Sequence, residues 1–110
     1  MLLAIDVGNT NTVFGVLGED GWLGVWRRAT DANETEDQLA AWLGSLLALK
    51  GLPLEFEGVV CASVVPQMNA ALSHLARKWL QVEITLKPLR RFLLFITSST
   101  KCSLFASNVA

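Results

Sequence analysis

Leu2-Leu3-Ala4-Ile5-Asp6-Val7-Gly8-Asn9-Thr10-Asn11-Thr12-Val13-Phe14-Gly15-Val16-Leu17 decides the fold. Residues 2–7 are a short apolar run that meets a Gly-Asn turn signal, which predicts a strand. Val13 to Leu17 is a second such run, broken by Gly15. Gly18-Glu19-Asp20-Gly21 follows as a strong turn, and Trp22 to Ala29 reads as a third strand carrying β-preferring Trp and Val. Three short strands joined by tight turns predict an antiparallel meander.

The periodicity changes at Thr30. Thr35 with Gln38 fits a capping box. Leu39, Trp42, Leu43, Leu46 and Leu47 then recur at helical spacing, and Gly51 and Pro53 stop the helix. Gly58 to Val64 is small, β-branched and apolar throughout, which predicts a strand covered on both faces and paired in parallel. Pro66 suits a helix's first turn, and Met68, Leu72, Leu75, Ala76 and Trp79 make a second stripe. Val82 to Leu86 reads as a last strand. The expected fold class is therefore α/β: a mixed sheet in which an antiparallel β-β-β meander is followed by α-β-α. Beyond residue 87 periodicity is lost, and residues 88–110 read as poorly specified structure.

Composition limits the functions available. The chain has 110 residues, 52% of them hydrophobic, and a formal net charge of −1, so neither nucleic acid nor an anionic membrane is an expected partner. All ten acids lie in residues 1–83, whereas 84–110 hold four basic residues and no acid. No run approaches a membrane span, and Asp6 interrupts the first apolar run too early for a signal peptide. Two cysteines, Cys61 in an apolar strand and Cys102 in the polar tail, read as free thiols of a reducing cytoplasm. The single histidine, His74, has no ligand partner at metal spacing and reads as a helix residue.

The chemistry concentrates in the first turn. A carboxylate closing a buried strand needs a partner, and Mg²⁺ would be one. Gly8 lets the backbone approach an anion closely, and Asn9, Thr10, Asn11 and Thr12 supply donors on one tight turn. An ordinary hairpin turn explains the same residue types. The turn is neither a Walker A loop nor a dinucleotide fingerprint, since the required lysine and further glycines are missing and a strand follows. Arg27 and Arg28 could reach a phosphate, but neighbours on a strand face opposite sides, so at most one would point at a site.

A strand, an Asp-x-Gly-Asn-Thr turn and a second strand resemble the first phosphate motif of the actin/hexokinase/acetate kinase superfamily. The form Asp6-Val7-Gly8-Asn9-Thr10-Asn11 resembles type III pantothenate kinases in particular. Trp26-Arg27 with Thr30 and Thr35-Glu36-Asp37, and Ala62-Ser63-Val64-Val65-Pro66, agree with that family's later passages. The resemblance covers roughly residues 1–80. It implies a ribonuclease H-like lobe over residues 1–86, with the second lobe absent and with 87–110 as a tail unlike the family. It also implies ATP-dependent phosphorylation of pantothenate, the first step of coenzyme A synthesis, in a cytoplasmic homodimer that requires Mg²⁺ and a monovalent cation, K⁺ or NH₄⁺. ATP-phosphate binding is then expected at Asp6, Val7, Gly8, Asn9, Thr10, Asn11, Thr12 and Val13, with Asp6 holding Mg²⁺ through water. The family's catalytic base lies in a Gly-x-Asp-Arg motif that does not occur here, and no aspartate follows Asp37. The expectation is a truncated or frame-shifted chain, inactive alone. A non-enzymatic regulator of the same family and a fragment without function are the alternatives.

Overall fold

The computed structural model describes residues 1–98. In chain order the elements are β1 (Leu2–Val7), β2 (Asn11–Gly18), β3 (Gly21–Ala29), α1 (Glu36–Leu49), β4 (Gly58–Ser63), α2 (Pro66–Leu75), β5 (Ile84–Leu86) and α3 (Leu89–Ser98). They form one five-stranded sheet in the order β3-β2-β1-β4-β5. β1, β2 and β3 pair antiparallel, and β4 and β5 add in parallel. This is the mixed α/β sheet that the patterning predicts.

Alternation along the strands sorts the core into two layers. Leu3, Ile5 and Val7, with Phe14, Val16, Val59 and Cys61, pack under α1 and α2, where Leu39, Leu43, Leu47, Met68, Leu72 and Leu75 close the main core. Each fully buried aliphatic or aromatic side chain of this layer contributes about 1.5–3 kcal/mol. Ala4, Val13, Val60 and Ala62 face the other way and are covered by Phe92 and Ile96 of α3.

Local chemistry sets the helix boundaries. The Thr35 hydroxyl accepts the Gln38 N–H at 3.2 Å, and Gln38 Oε1 accepts the Thr35 N–H at 2.9 Å, which completes the expected capping box. Gly51, at φ 70°, turns the chain out of α1 through the left-handed region that glycine tolerates. Pro66 begins α2, whose last turn widens into a π-helical turn at Ala76–Leu80 and stops at Gln81, φ 58°.

Two expectations are corrected. Residues 89–98 are not poorly specified: they form α3, because Leu89, Phe92, Leu93 and Ile96 recur at helical spacing and bury Phe92 and Ile96 completely. The rest of the expected tail, 99–110 with Cys102, lies outside the described residues. Trp79 ends the second apolar stripe in sequence, yet it is exposed, and its indole N–H donates to the Asp37 carboxylate at 2.9 Å.

Candidate functional site

The ends of β1 and β4, the start of β2 and the end of β3 meet at one edge of the sheet. In open α/β sheets the carboxyl ends of parallel strands are where ligands bind. The turn Gly8-Asn9-Thr10 crosses this edge. It closes on a single backbone bond of its own, from the Gly8 N–H to the Asn11 carbonyl at 2.9 Å. A Cβ at residue 8 would stand 3.1 Å from that carbonyl oxygen, so the tightness of the turn already favours glycine there. Asn9 and Thr10 are exposed at the tip, and among the described residues their N–H groups enter no backbone hydrogen bond.

Asp6 is the penultimate residue of β1, two residues before the turn begins at Gly8. It stands between Val13 on β2 and Ala62 on β4, and both neighbours belong to the apolar layer beneath α3. Its side chain is 9% exposed, with no hydrogen bond or ion pair among the described residues. Burial therefore pushes its carboxyl above the ordinary value of 3.8. A buried, unpartnered carboxylate beside a donor-bearing turn fits a divalent cation that it would share with phosphate oxygens. Among the described residues no three His, Cys, Asp or Glu side chains cluster to hold a metal unaided. Such sharing is the usual habit of Mg²⁺, which takes one or two carboxylates and completes its shell with phosphate and water.

The remaining residues of the segment play different parts. Val7 and Val13 are buried strand residues whose side chains belong to the two core layers. Thr12 is 1% exposed, and its hydroxyl lies 2.8 Å from that of Thr30. Thr30 in turn donates its hydroxyl proton to the Gly8 carbonyl at 2.7 Å, and its N–H donates to the Thr10 carbonyl at 2.9 Å. The chain leaving β3 is thereby fastened to the turn. Sequence reasoning placed Thr30 only within a family passage; a hydroxyl at the end of the strand beside the hairpin was the available signal.

Below the turn, β4 returns to the same edge. The Val64 N–H donates to the Val7 carbonyl at 3.0 Å, and the Ser63 hydroxyl accepts the Val65 N–H at 3.1 Å. α2 starts two residues later without a side-chain cap or an acidic residue in its first turn. Its own first turn thus leaves the positive end of the helix uncompensated.

Arg27 and Arg28 separate as the strand geometry requires. Arg28 stacks over Trp42, 4.6 Å from the ring centroid, and pairs with Glu34. Arg27 is exposed on the opposite face, which is that of Asp6. Cys61 is buried, and its thiol is pushed up to about 12 by burial and by the nearby Asp6 charge, so it stays protonated and unreactive. His74 is exposed on α2. No helix among the described residues is long and apolar enough to cross a membrane.

The sequence profile of the type III pantothenate kinases matches residues 2–96. That match continues past residue 80, where the resemblance read from the sequence stops. A type III pantothenate kinase of Phenylobacterium zucineum is 49% identical over 84 residues, 76% of this chain and 33% of the relative. One from Rhodospirillum rubrum is 52% identical over 80 residues, 72% of this chain and 31% of the relative. The chain thus spans about a third of the length of the curated relatives it matches. Among solved structures, a Bacteroides thetaiotaomicron protein with an actin-like ATPase fold superposes at a TM-score of 0.55 with 7% identity, covering 78% of this chain and 32% of that one. At that identity the likeness concerns the fold alone.

Proposed function

The chain belongs to the type III pantothenate kinase family, and from that premise we propose that residues 1–86 are the amino-terminal, ATP-phosphate-binding lobe of an enzyme that phosphorylates pantothenate to 4′-phosphopantothenate. The observation that carries the reading is Asp6: a buried carboxylate without a partner among the described residues, set beside a turn whose tip N–H groups they leave unengaged. Among the described residues nothing compensates this carboxylate, at the place where the family's first phosphate motif stands. A nucleotide's cation would resolve that imbalance.

In this reading the segment Asp6–Val13 divides its work. Asp6 holds Mg²⁺, directly or through water, and the ion supplies charge neutralisation to the phosphate tail when bound. The N–H groups of Asn9 and Thr10 and the amide side chains of Asn9 and Asn11 donate to phosphate oxygens. Gly8 keeps the backbone low so that the anion can approach. Val7, Thr12 and Val13 hold the two flanking strands in register. The bare amino end of α2 adds a favourable potential for anionic charge. Phosphoryl transfer depends mostly on such positioning and charge stabilisation, and these residues supply that half of the task.

The other half, a base toward the pantothenate hydroxyl, has no counterpart in these 110 residues, where Gly-x-Asp-Arg does not occur. The chain by itself is therefore inactive in this proposal. The complete enzyme is a cytoplasmic homodimer that uses ATP, Mg²⁺ and a monovalent cation, K⁺ or NH₄⁺.

Amide NMR of the labelled chain tests the reading. Adding MgATP should shift the resonances of Gly8 to Thr12 in a saturable way, and Asp6→Ala should abolish the response. Shifts scattered elsewhere, or none at millimolar nucleotide, would remove the assignment. Phosphopantothenate made by the purified chain would overturn its predicted inactivity.

A further inference from the structure

Thr30 lies outside the turn yet makes three of the contacts that fix it. Its hydroxyl donates to the Gly8 carbonyl at 2.7 Å, its N–H donates to the Thr10 carbonyl at 2.9 Å, and its oxygen lies 2.8 Å from the Thr12 hydroxyl. These contacts reach the entry, the tip and the exit of the turn. The turn's own closure, by contrast, is one bond from Gly8 to Asn11.

Counting protons gives the network a direction. A hydroxyl has one proton to donate. That of Thr30 goes to the Gly8 carbonyl, so the proton between the two threonines is supplied by Thr12. The result is a chain from Thr12 to Thr30 to Gly8, in which the Thr12 hydroxyl donates and the Thr30 hydroxyl both accepts and donates. The hydroxyl of Thr12, 1% exposed, is thereby committed to Thr30 and is not offered to an outside anion.

The segment carrying Thr30 is itself held. Arg28, two residues before it, pairs with Glu34, four residues after it, and the Arg28 guanidinium rests on Trp42 of α1. Inside that closure the Asp31 carboxylate accepts the Asn33 N–H at 2.9 Å and the Asp31 carbonyl accepts the Glu34 N–H at 3.1 Å. Thr30 thus ties the turn to a fixed support.

We infer that Thr30 is a positioning residue for the phosphate turn, setting the shape of Gly8-Asn9-Thr10 before any anion arrives. Pre-set geometry spares the ordering cost that a loose loop would meet on binding. The inference rests on the proposed phosphate site for its consequence in binding, but not for its consequence in turn order.

The experiment compares the chain with its Thr30→Val and Thr30→Ser variants. Valine matches threonine in shape and keeps the backbone N–H, so it removes the hydroxyl alone; serine restores the hydroxyl. Hydrogen exchange of the Gly8 and Thr30 amides should quicken at least tenfold in Thr30→Val while core strands keep their protection, and Thr30→Ser should match the parent chain. MgATP affinity, read from the NMR titration, should fall about tenfold in Thr30→Val and return to within about twofold in Thr30→Ser. Unchanged exchange at Gly8 and Thr30 in Thr30→Val overturns the inference, as does unchanged affinity. If the parent chain binds no MgATP, the proposed function fails, and exchange alone then decides the role of Thr30.

Discussion

Asp6 and Arg27 lie in one transverse row of the sheet, with Val13 between them: Asp6 is opposite Val13 on β2, and Val13 is opposite Arg27 on β3. Residues in such a row share a face, and two strand spacings separate the ends by about 10 Å. Arg27 is therefore the arginine on the carboxylate's side, within reach of a phosphate tail held there. Arg27→Gln should weaken MgATP binding about threefold, with the difference shrinking at high salt as expected for an exposed charge. Equal affinities in an NMR titration at low ionic strength would show that the row plays no part in binding.

Arg28, one residue on, has a structural role instead. Its guanidinium lies on Trp42 and meets Glu34, whose side chain is 9% exposed, while its Nε and Nη1 are buried without partners. Removing one member of a shielded pair leaves the other charge uncompensated. Glu34→Gln and Arg28→Met should each cost about 1–3 kcal/mol in urea unfolding. The double variant should cost clearly less than the two singles combined, because neither charge is then stranded. Strict additivity would mean that the pair is not coupled.

The residues that were legible in the sequence are those whose signal is local. The capping box at Thr35 and Gln38, the buried parallel strand at Gly58 to Ser63 and the meander all follow from spacing within a few residues. What the sequence did not reveal depends on partners distant in the chain. α3 was obscured because hydroxyl residues follow it and its two anchors, Phe92 and Ile96, gain meaning only against Ala4, Val13, Val60 and Ala62. Trp79 looked like a core residue until Asp37, 42 residues away, claimed its indole. At the site, Asp6 could be placed at a strand end from sequence, but its lack of a partner among the described residues could not. The commitment of Thr12 to Thr30 likewise appears only when β3 is laid beside β2.

The packing of α3 makes its own prediction. Phe92 is fully buried against the sheet, whereas Leu94, two residues later, is 63% exposed. Phe92→Ala should cost about 3–5 kcal/mol, a large share of the stability of a domain this size. Leu94→Ala should stay within about 0.5 kcal/mol. Chemical denaturation of the two variants side by side is the measurement. Similar losses from both, or from neither, would mean that α3 does not pack on the sheet through Phe92.

Asp6 gives the pH dependence. Burial raises its carboxyl above the ordinary 3.8, so the folded chain holds this proton more tightly than the unfolded chain does. The penalty is absent below the unfolded value. It grows as pH rises from there through the raised folded value, and it is complete above that. Asp6→Asn removes a charge that has no partner among the described residues, so it should stabilise the chain at neutral pH by on the order of 1 kcal/mol. The gain should fade on acidification and vanish below pH 3.8. MgATP should invert the ranking: ligand that binds only the folded state raises the melting temperature of the parent chain, and Asp6→Asn, having lost the carboxylate, should gain little. Melting curves across pH, with and without MgATP, separate these outcomes. An Asp6→Asn variant less stable than the parent at neutral pH without nucleotide would mean that the carboxylate already has a partner, and the case for a cation there would fall.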